Sequence, residues 1–257
     1  MAKPSVVVTR PESQAESLMR QLAVQGYEPI LAPMLRIKML PSTEPPDLTG
    51  VDTAIFISTN AVAAFREALV RAEVAMEENL MYFGIGSKTA QSLELLGLNA
   101  LSVSGATTEA LLTHSWFDQP RSVLIVKGEG GRAALANELT ARGATVAEWV
   151  GYQRLPPTSA QCEQFRSALT MDPIAILAQS GETLLNALNA LDTVDAIIAE
   201  QSGSNPSPNT CWIVPSERVA EIAREYGVDP LVAPSAADDD MVSTLNRYCE
   251  QQKVSHG

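Results

Sequence analysis

The feature that most constrains this chain is an alternation that occurs twice. Short apolar runs of strand length lie at Ser5–Thr9, Thr53–Ser58, Met81–Ile85, Ser122–Val126, Ile174–Ala178 and Thr210–Val214. Each is followed by apolar residues at helical spacing. Ala15, Leu18, Met19 and Leu22 form one such stripe. Val62, Phe65 and Leu69 form a second, Leu184, Leu188 and Leu191 a third, and Val219, Ile222 and Ala223 a fourth. Consecutive parallel strands need a crossover, and a helix supplies it while covering one face of the sheet. The pattern therefore predicts an α/β protein with open parallel sheets and flanking helices.

The units also recur in order. Ser5–Gly26 aligns without gaps to Ser122–Gly143, an offset of 117 residues. Ile55–Phe65 resembles Leu177–Ala187 at an offset of 122, and Phe83–Leu98 resembles Ile213–Val228 at 130. Identities are few, and the shared positions are mostly apolar. A near-constant offset over three units is the signature of duplication. It predicts two similar lobes, with ligands bound beyond the carboxyl ends of their strands, in a cleft between them. Met34–Leu40 and Glu148–Leu155 are extended-looking and run into prolines, so they are the candidate linker strands. The segment Gln201–Asn209, rich in Ser, Pro and Asn, reads as a loop.

Composition narrows the function classes. Thirty acidic residues against 18 basic ones give a net charge of −12, a poor match for non-specific nucleic-acid binding. An anionic small molecule stays possible, because helix N-termini and a few cations override the global sign locally. No apolar run is long enough to span a bilayer, and the first residues show no signal-peptide pattern. A cytoplasmic protein is expected. Cys162, Cys211 and Cys249 are widely spaced, and the histidines are His114 and His256. This inventory argues against a disulfide framework, a metal site and a serine–histidine triad.

The candidate chemistry sits where strands end and helices begin. These junctions carry Arg10 after the first strand, Ser58 and Asn60 after the second, and Gly86, Ser87, Lys88 and Thr89 after the third. Lys127, Gly128 and Arg132 follow the fourth, Ser180 the fifth, and Ser216 and Arg218 the sixth. Free backbone N–H groups, hydroxyls and cations together bind carboxylate or phosphate. Each hydroxyl alone reads equally as a helix cap. Gly128, Gly130 and Ala133, with Glu148 further on, imitate a dinucleotide fingerprint. The matching loop of the first repeat, Pro11-Glu12-Ser13, lacks glycine, and a hydride-transfer acid or base is missing, so nicotinamide binding is disfavoured. Tyr152 lies in a linker candidate, where a phenol can donate a proton to a ligand or pack a hinge. Asp238, Asp239 and Asp240 read as the acidic first turn of the last helix. Cys211 reads as a core residue.

Six segments taken in order resemble the uroporphyrinogen-III synthase family. They are Val8–Pro11 (VTRP), Phe56–Val62 (FISTNAV), Gly84–Ala90 (GIGSKTA), Leu124–Arg132 (LIVKGEGGR), Val150–Arg154 (VGYQR) and Val214–Ile222 (VPSERVAEI). The resemblance implies two α/β lobes joined by a two-stranded linker. The first lobe would be discontinuous, residues 1–36 and 156–257, and the second would span 37–155. The implied reaction is cyclisation of hydroxymethylbilane with inversion of ring D through a spirocyclic pyrrolenine, with loss of water. No metal or cofactor is implied. The acetates and propionates of that substrate suit the helix-terminal sites, and the substrate's own electron-rich pyrroles suit the missing histidines. By resemblance, Tyr152 assists departure of the hydroxyl, while Thr89, Ser58 and Ser180 match loop hydroxyls. Two positions depart from the pattern. Val219 stands where a hydroxyl residue is usual and Gln179 where a threonine is common, which leaves Ser216 and Arg218 as substitute carboxylate binders. The expected partner is the tetrapyrrole substrate, handed over from hydroxymethylbilane synthase, and the expected state is a monomer. A non-catalytic anion sensor and a nicotinamide oxidoreductase are the alternatives.

Overall fold

Val6, Val7 and Val8 are each fully buried, which requires covering layers on both faces of their strand. In the computed structural model, which describes residues 3–40, 44–76, 79–103, 108–130, 133–192 and 210–255, those layers are helices. The chain divides into two compact units, residues 1–36 with 155–257 and residues 37–154.

The first unit is built on β1 (Ser5–Val8), β2 (Glu28–Leu31), β9 (Ala175–Leu177), β10 (Cys211–Val214) and β11 (Leu231–Val232). Their order is β11-β10-β9-β1-β2, and each paired neighbour is parallel. One face carries α1 (Glu16–Val24) and the last helix α9 (Asp238–Ser255), through Leu18, Leu22, Met241 and Leu245. The other carries α6 (Ser159–Leu169), α7 (Gly181–Asp192) and α8 (Glu217–Glu225), through Phe165, Leu184, Leu188 and Val219. Thr158 opens α6 with a complete capping box to Gln161.

The second unit orders its strands β3 (Arg36–Met39), β8 (Thr145–Leu155), β7 (Ser122–Gly128), β4 (Thr53–Phe56), β5 (Met81–Ile85) and β6 (Ala100–Val103). The pairings of β4, β5, β6, β7 and β8 are parallel. Helices α2 (Thr59–Arg71) and α3 (Ser87–Glu94) cover one face, where Phe56 packs edge-on against Phe65. Helices α4 (Thr108–Leu112) and α5 (Ala134–Ala141) cover the other. Both unit boundaries fall on the chain of β3 and β8, which are hydrogen-bonded neighbours.

The α/β class, the parallel sheets and the flanking helices are as the alternation predicts. Three strands escape the periodicity argument: β2, β6 and β11. All three lie at sheet edges and are partly exposed, so they lack a continuous apolar run. Strand β7 extends two residues past the predicted end at Val126. A lysine at 127 looks like a strand terminator, but an ion pair to the neighbouring strand buries it. The Gln201–Asn209 loop lies outside the described residues.

Each sheet has a switch point where the strand order reverses. In the first unit the chain runs from β1 to β2 on one side and then returns to β9 on the other. In the second it runs from β4 through β5 to β6, then returns to β7 on the far side of β4. Crossovers leave in opposite directions at these points, which opens a crevice at the carboxyl ends of the two central strands. Most of the sequence-predicted residues lie on these carboxyl edges.

Candidate functional site

At the switch point of the second unit, the residues after β4 and β7 meet a tyrosine of β8. Ser58 takes an extended conformation as N-cap of α2, and its Oγ accepts the Ala61 N–H at 3.2 Å. The same Oγ lies 2.9 Å from the Tyr152 hydroxyl. Tyr152 is 3% exposed and packs among the apolar residues of that face. Its ring lies over Gly128. A Cβ at position 128 would stand 2.5 Å from Tyr152 Cζ and 2.6 Å from Cε2, well inside van der Waals contact. A bulge between Lys127 and Gly128 puts Gly128 level with Tyr152, and Glu129 N–H donates to the Tyr152 carbonyl at 2.8 Å. The phenol is thus fixed by its ring contact, its backbone and its hydroxyl.

The neighbouring β5–α3 junction presents backbone donors. Gly86 turns the chain at φ 86°, a conformation open to glycine at no steric cost, and caps α3 without a side chain. Ser87 and Lys88 are exposed on the first turn of α3, and Thr89 is buried behind them at 4% exposure. Asn60 is half-buried in the first turn of α2. The first turns of α2 and α3 together form an edge suited to an anion.

The two cations that the repeat makes equivalent, Arg10 and Lys127, share a fate that their sequence position hid. Arg10 Nη1 pairs with Asp238 Oδ1 at 2.8 Å and also donates to the Gln14 carbonyl. Lys127 Nζ pairs with Glu148 Oε1 at 2.7 Å. Their side chains are each about one-tenth exposed, so both cations sit in internal ion pairs. The Asp238–Asp240 run does form the first turn of α9, and its first member also neutralises Arg10. Glu148, the acidic member of the dinucleotide-like spacing, is held by Lys127.

On the first unit's edge, Ser180 Oγ accepts the Thr183 N–H at 3.1 Å and lies 3.0 Å from the Thr183 hydroxyl, so it is engaged in starting α7. Ser216 is the N-cap of α8, yet its side chain makes no capping bond. Its hydroxyl and the exposed Arg218 form no hydrogen bond among the described residues. Val219 is 1% exposed and packs in the core, which accounts for an apolar residue there. Arg132 lies outside the described residues. The position that sequence reasoning set aside is Gln179, whose amide N and O are both buried without a partner among the described residues. Its polarity just beyond an apolar strand was the available signal. No group of three His, Cys, Asp or Glu residues that could hold a metal ion occurs among the described residues. Cys211 is half-buried, and desolvation pushes its thiol up to about 11.

Comparison with known proteins agrees with this architecture. A family model described as uroporphyrinogen-III synthase HemD matches residues 16–243. The chain is 34% identical over 160 residues to a uroporphyrinogen-III synthase of Proteus mirabilis, covering 59% of this chain and 80% of that one. It is 27% identical over 245 residues to the protein of the same name from Salmonella typhimurium, covering 92% and 97%. Among solved structures, the Helicobacter pylori uroporphyrinogen-III synthetase superposes with a TM-score of 0.63 at 15% identity, covering 95% of this chain and 99% of that one. A mutant Thermus thermophilus uroporphyrinogen III synthase gives a TM-score of 0.59 at 18% identity, covering 96% and 99%. At such identities these structures speak for the fold alone.

Proposed function

The chain belongs to the uroporphyrinogen-III synthase family, and on that premise we propose that it closes hydroxymethylbilane to uroporphyrinogen III with Tyr152 assisting departure of the terminal hydroxyl. The observation that carries the role of Tyr152 is its hydroxyl, held 2.9 Å from Ser58 Oγ at the switch point of the second sheet.

Either hydroxyl of that pair can be the donor, and the proposed mechanism uses the direction that the cap favours. Ser58 Oγ already accepts the Ala61 N–H, at the positive end of α2. Accepting a bond strengthens the serine O–H as a donor. Ser58 then donates to the tyrosine oxygen, and the tyrosine proton is left for the substrate. In the first step the C–O bond of the hydroxymethyl group breaks as the pyrrole nitrogen pushes electrons in. The Tyr152 proton goes to the departing oxygen, which leaves as water. The azafulvene is attacked by the substituted carbon of ring D, giving the spirocyclic pyrrolenine. Fragmentation and re-closure invert the ring, and loss of the final ring proton restores the tyrosine. The net change is loss of one water, which makes the enzyme a cyclising hydro-lyase.

Selectivity is a matter of holding the chain in one folded conformation, since free hydroxymethylbilane closes unaided to isomer I. In the second unit the first turns of α2 and α3, with Ser87 and Lys88, offer donors suited to acetate and propionate arms, and in the first unit the first turn of α8, with Ser216 and Arg218, offers the same chemistry. Arg10 and Lys127 act through their internal pairs and shape these edges rather than contact carboxylates. The reading places the protein in the cytoplasm as a monomer that receives its substrate from hydroxymethylbilane synthase. No described helix is long and apolar enough to cross a membrane.

The test is direct. Hydroxymethylbilane generated in situ is incubated with the protein, oxidised, and resolved into porphyrin isomers. Predominant isomer III from the wild type, and a large loss of its rate in folded Tyr152→Phe, are expected. Isomer I alone from folded wild type refutes the cyclase reading. Unchanged turnover in Tyr152→Phe removes the phenol from the mechanism.

A further inference from the structure

Gln179 lies at the switch point of the first sheet. It follows β9 directly, and extending the register of Leu177 with Val8 and Ile213 sets it level with Arg10 and Pro215. Its amide nitrogen and oxygen are both buried and both lack a hydrogen-bond partner, which is true of no other side chain among the described residues. A protein that buries an amide without partners gives up stability, so each such group calls for a reason. The residue as a whole is only half-buried, so its remaining exposure belongs to its carbons and backbone. This inverts the usual arrangement, in which the polar tip reaches water and the stem is covered. The amide meets a ligand only if the side chain turns outward.

The surroundings point to a ligand rather than to an internal partner. Arg10, the level neighbour on β1, is committed to Asp238. Thr9 closes the strand pair beneath by donating its hydroxyl to the Leu177 carbonyl at 2.9 Å. Ser180 and Thr183 satisfy one another at the start of α7. These neighbours leave Gln179 as the group with unused donors and acceptor at the position where open α/β sheets take their ligands. Level with it on β10, the chain turns through Pro215 into Ser216, whose hydroxyl also lacks a partner among the described residues.

We propose that Gln179 is a substrate-binding residue whose amide NH2 donates to a side-chain carboxylate of the tetrapyrrole while its carbonyl oxygen accepts a pyrrole N–H. An amide offers a donor and an acceptor side by side, and a pyrrole bearing an acetate arm presents the complementary pair. The proposal rests on the cyclase reading above and adds to it a residue that the loop hydroxyls and cations do not include.

The experiment replaces Gln179 with methionine, which keeps length and flexibility and removes both polar atoms. Thermal unfolding of the free protein and the KM for hydroxymethylbilane in the isomer III assay are measured together. Gln179→Met is expected to raise the Tm, because unpaired polar atoms leave the interior, and to raise KM about tenfold, the equivalent of one good hydrogen bond, with a smaller change in kcat. Gln179→Glu keeps an acceptor and sets a charge against the carboxylate, so its KM should rise further. Should Gln179→Met fold with wild-type KM, the amide holds a trapped water or is a packing defect, and the proposal falls whatever the Tm does. Wild-type protein that makes only isomer I brings down the cyclase reading itself. Wild type that makes isomer III beside an unaffected Gln179→Met brings down this proposal alone.

Discussion

Gly128→Ala is the sharpest probe of how the phenol is held. The added methyl carbon would lie 2.5 Å from Tyr152 Cζ, 2.6 Å from Cε2 and 3.0 Å from Cε1. Carbon atoms settle at about 3.5–4.0 Å, so the ring must retreat by about 1 Å. The backbone cannot absorb this easily, because Glu129 N–H is bonded to the Tyr152 carbonyl at 2.8 Å. A hydroxyl moved by that distance from its 2.9 Å contact with Ser58 passes beyond hydrogen-bond reach. Overpacking of this kind costs roughly 1–3 kcal/mol of stability. A reacting group misplaced by about 1 Å loses on the order of a hundredfold in rate, about 2.7 kcal/mol of activation free energy. The assay is the initial rate of isomer III formation, alongside thermal unfolding. The decisive control is the double variant. Once Tyr152→Phe has removed the hydroxyl, moving the ring has little left to cost, so Gly128→Ala should slow the Tyr152→Phe enzyme by far less than it slows the wild type. Full additivity, or wild-type turnover in a folded Gly128→Ala protein, would refute the claim that Gly128 acts through the position of Tyr152.

Three further outcomes follow from the ion pairs and the half-buried thiol. Asp238→Asn leaves the Arg10 guanidinium buried without its carboxylate, so it should cost roughly 3–5 kcal/mol in chemical denaturation. Pairing it with Arg10→Met should recover much of that loss, and no recovery would contradict an internal role for Arg10. For the second pair, Glu148→Gln should destabilise more than Lys127→Met, because the lysine side chain is 10% exposed while the glutamate at 36% can be hydrated alone; the reverse order in urea midpoints would refute this. Cys211 has a folded pKa raised by desolvation from 9.0 to about 11. Its contribution is therefore whole below about pH 9 and is lost as pH rises towards 11. The Tm should fall across that window, and Cys211→Ala should shallow the fall; an unchanged slope would show that folding does not raise the thiol's pKa.

Ser58 and Tyr152 show what the sequence could supply and where it stopped. Both were recognisable as candidates, the serine because it precedes a helical stripe and the tyrosine because it lies in a linker-like segment. That they share a hydrogen bond depends on β4, β7 and β8 being neighbours in one sheet. Arg10 shows a different limit. Its place at a strand end made it a candidate carboxylate binder, yet the acid that neutralises it is 228 residues away. Gln179 was left out because it stands where the family pattern commonly has a threonine, and the sequence carries no sign of whether an amide there finds a partner.

The alternation of strand and helix, and with it the α/β class with parallel strands and flanking helices, was legible in the sequence, because periodicity and turn residues act within a few positions along the chain. Which cations are neutralised, which hydroxyl meets the phenol and which amide remains unpaired were decided by the tertiary structure alone. Those facts depend on strand order and on which distant helix covers each face. Coulomb and hydrogen-bond energies fall off over a few ångströms of space, not of sequence, so only the folded chain brings such groups into range.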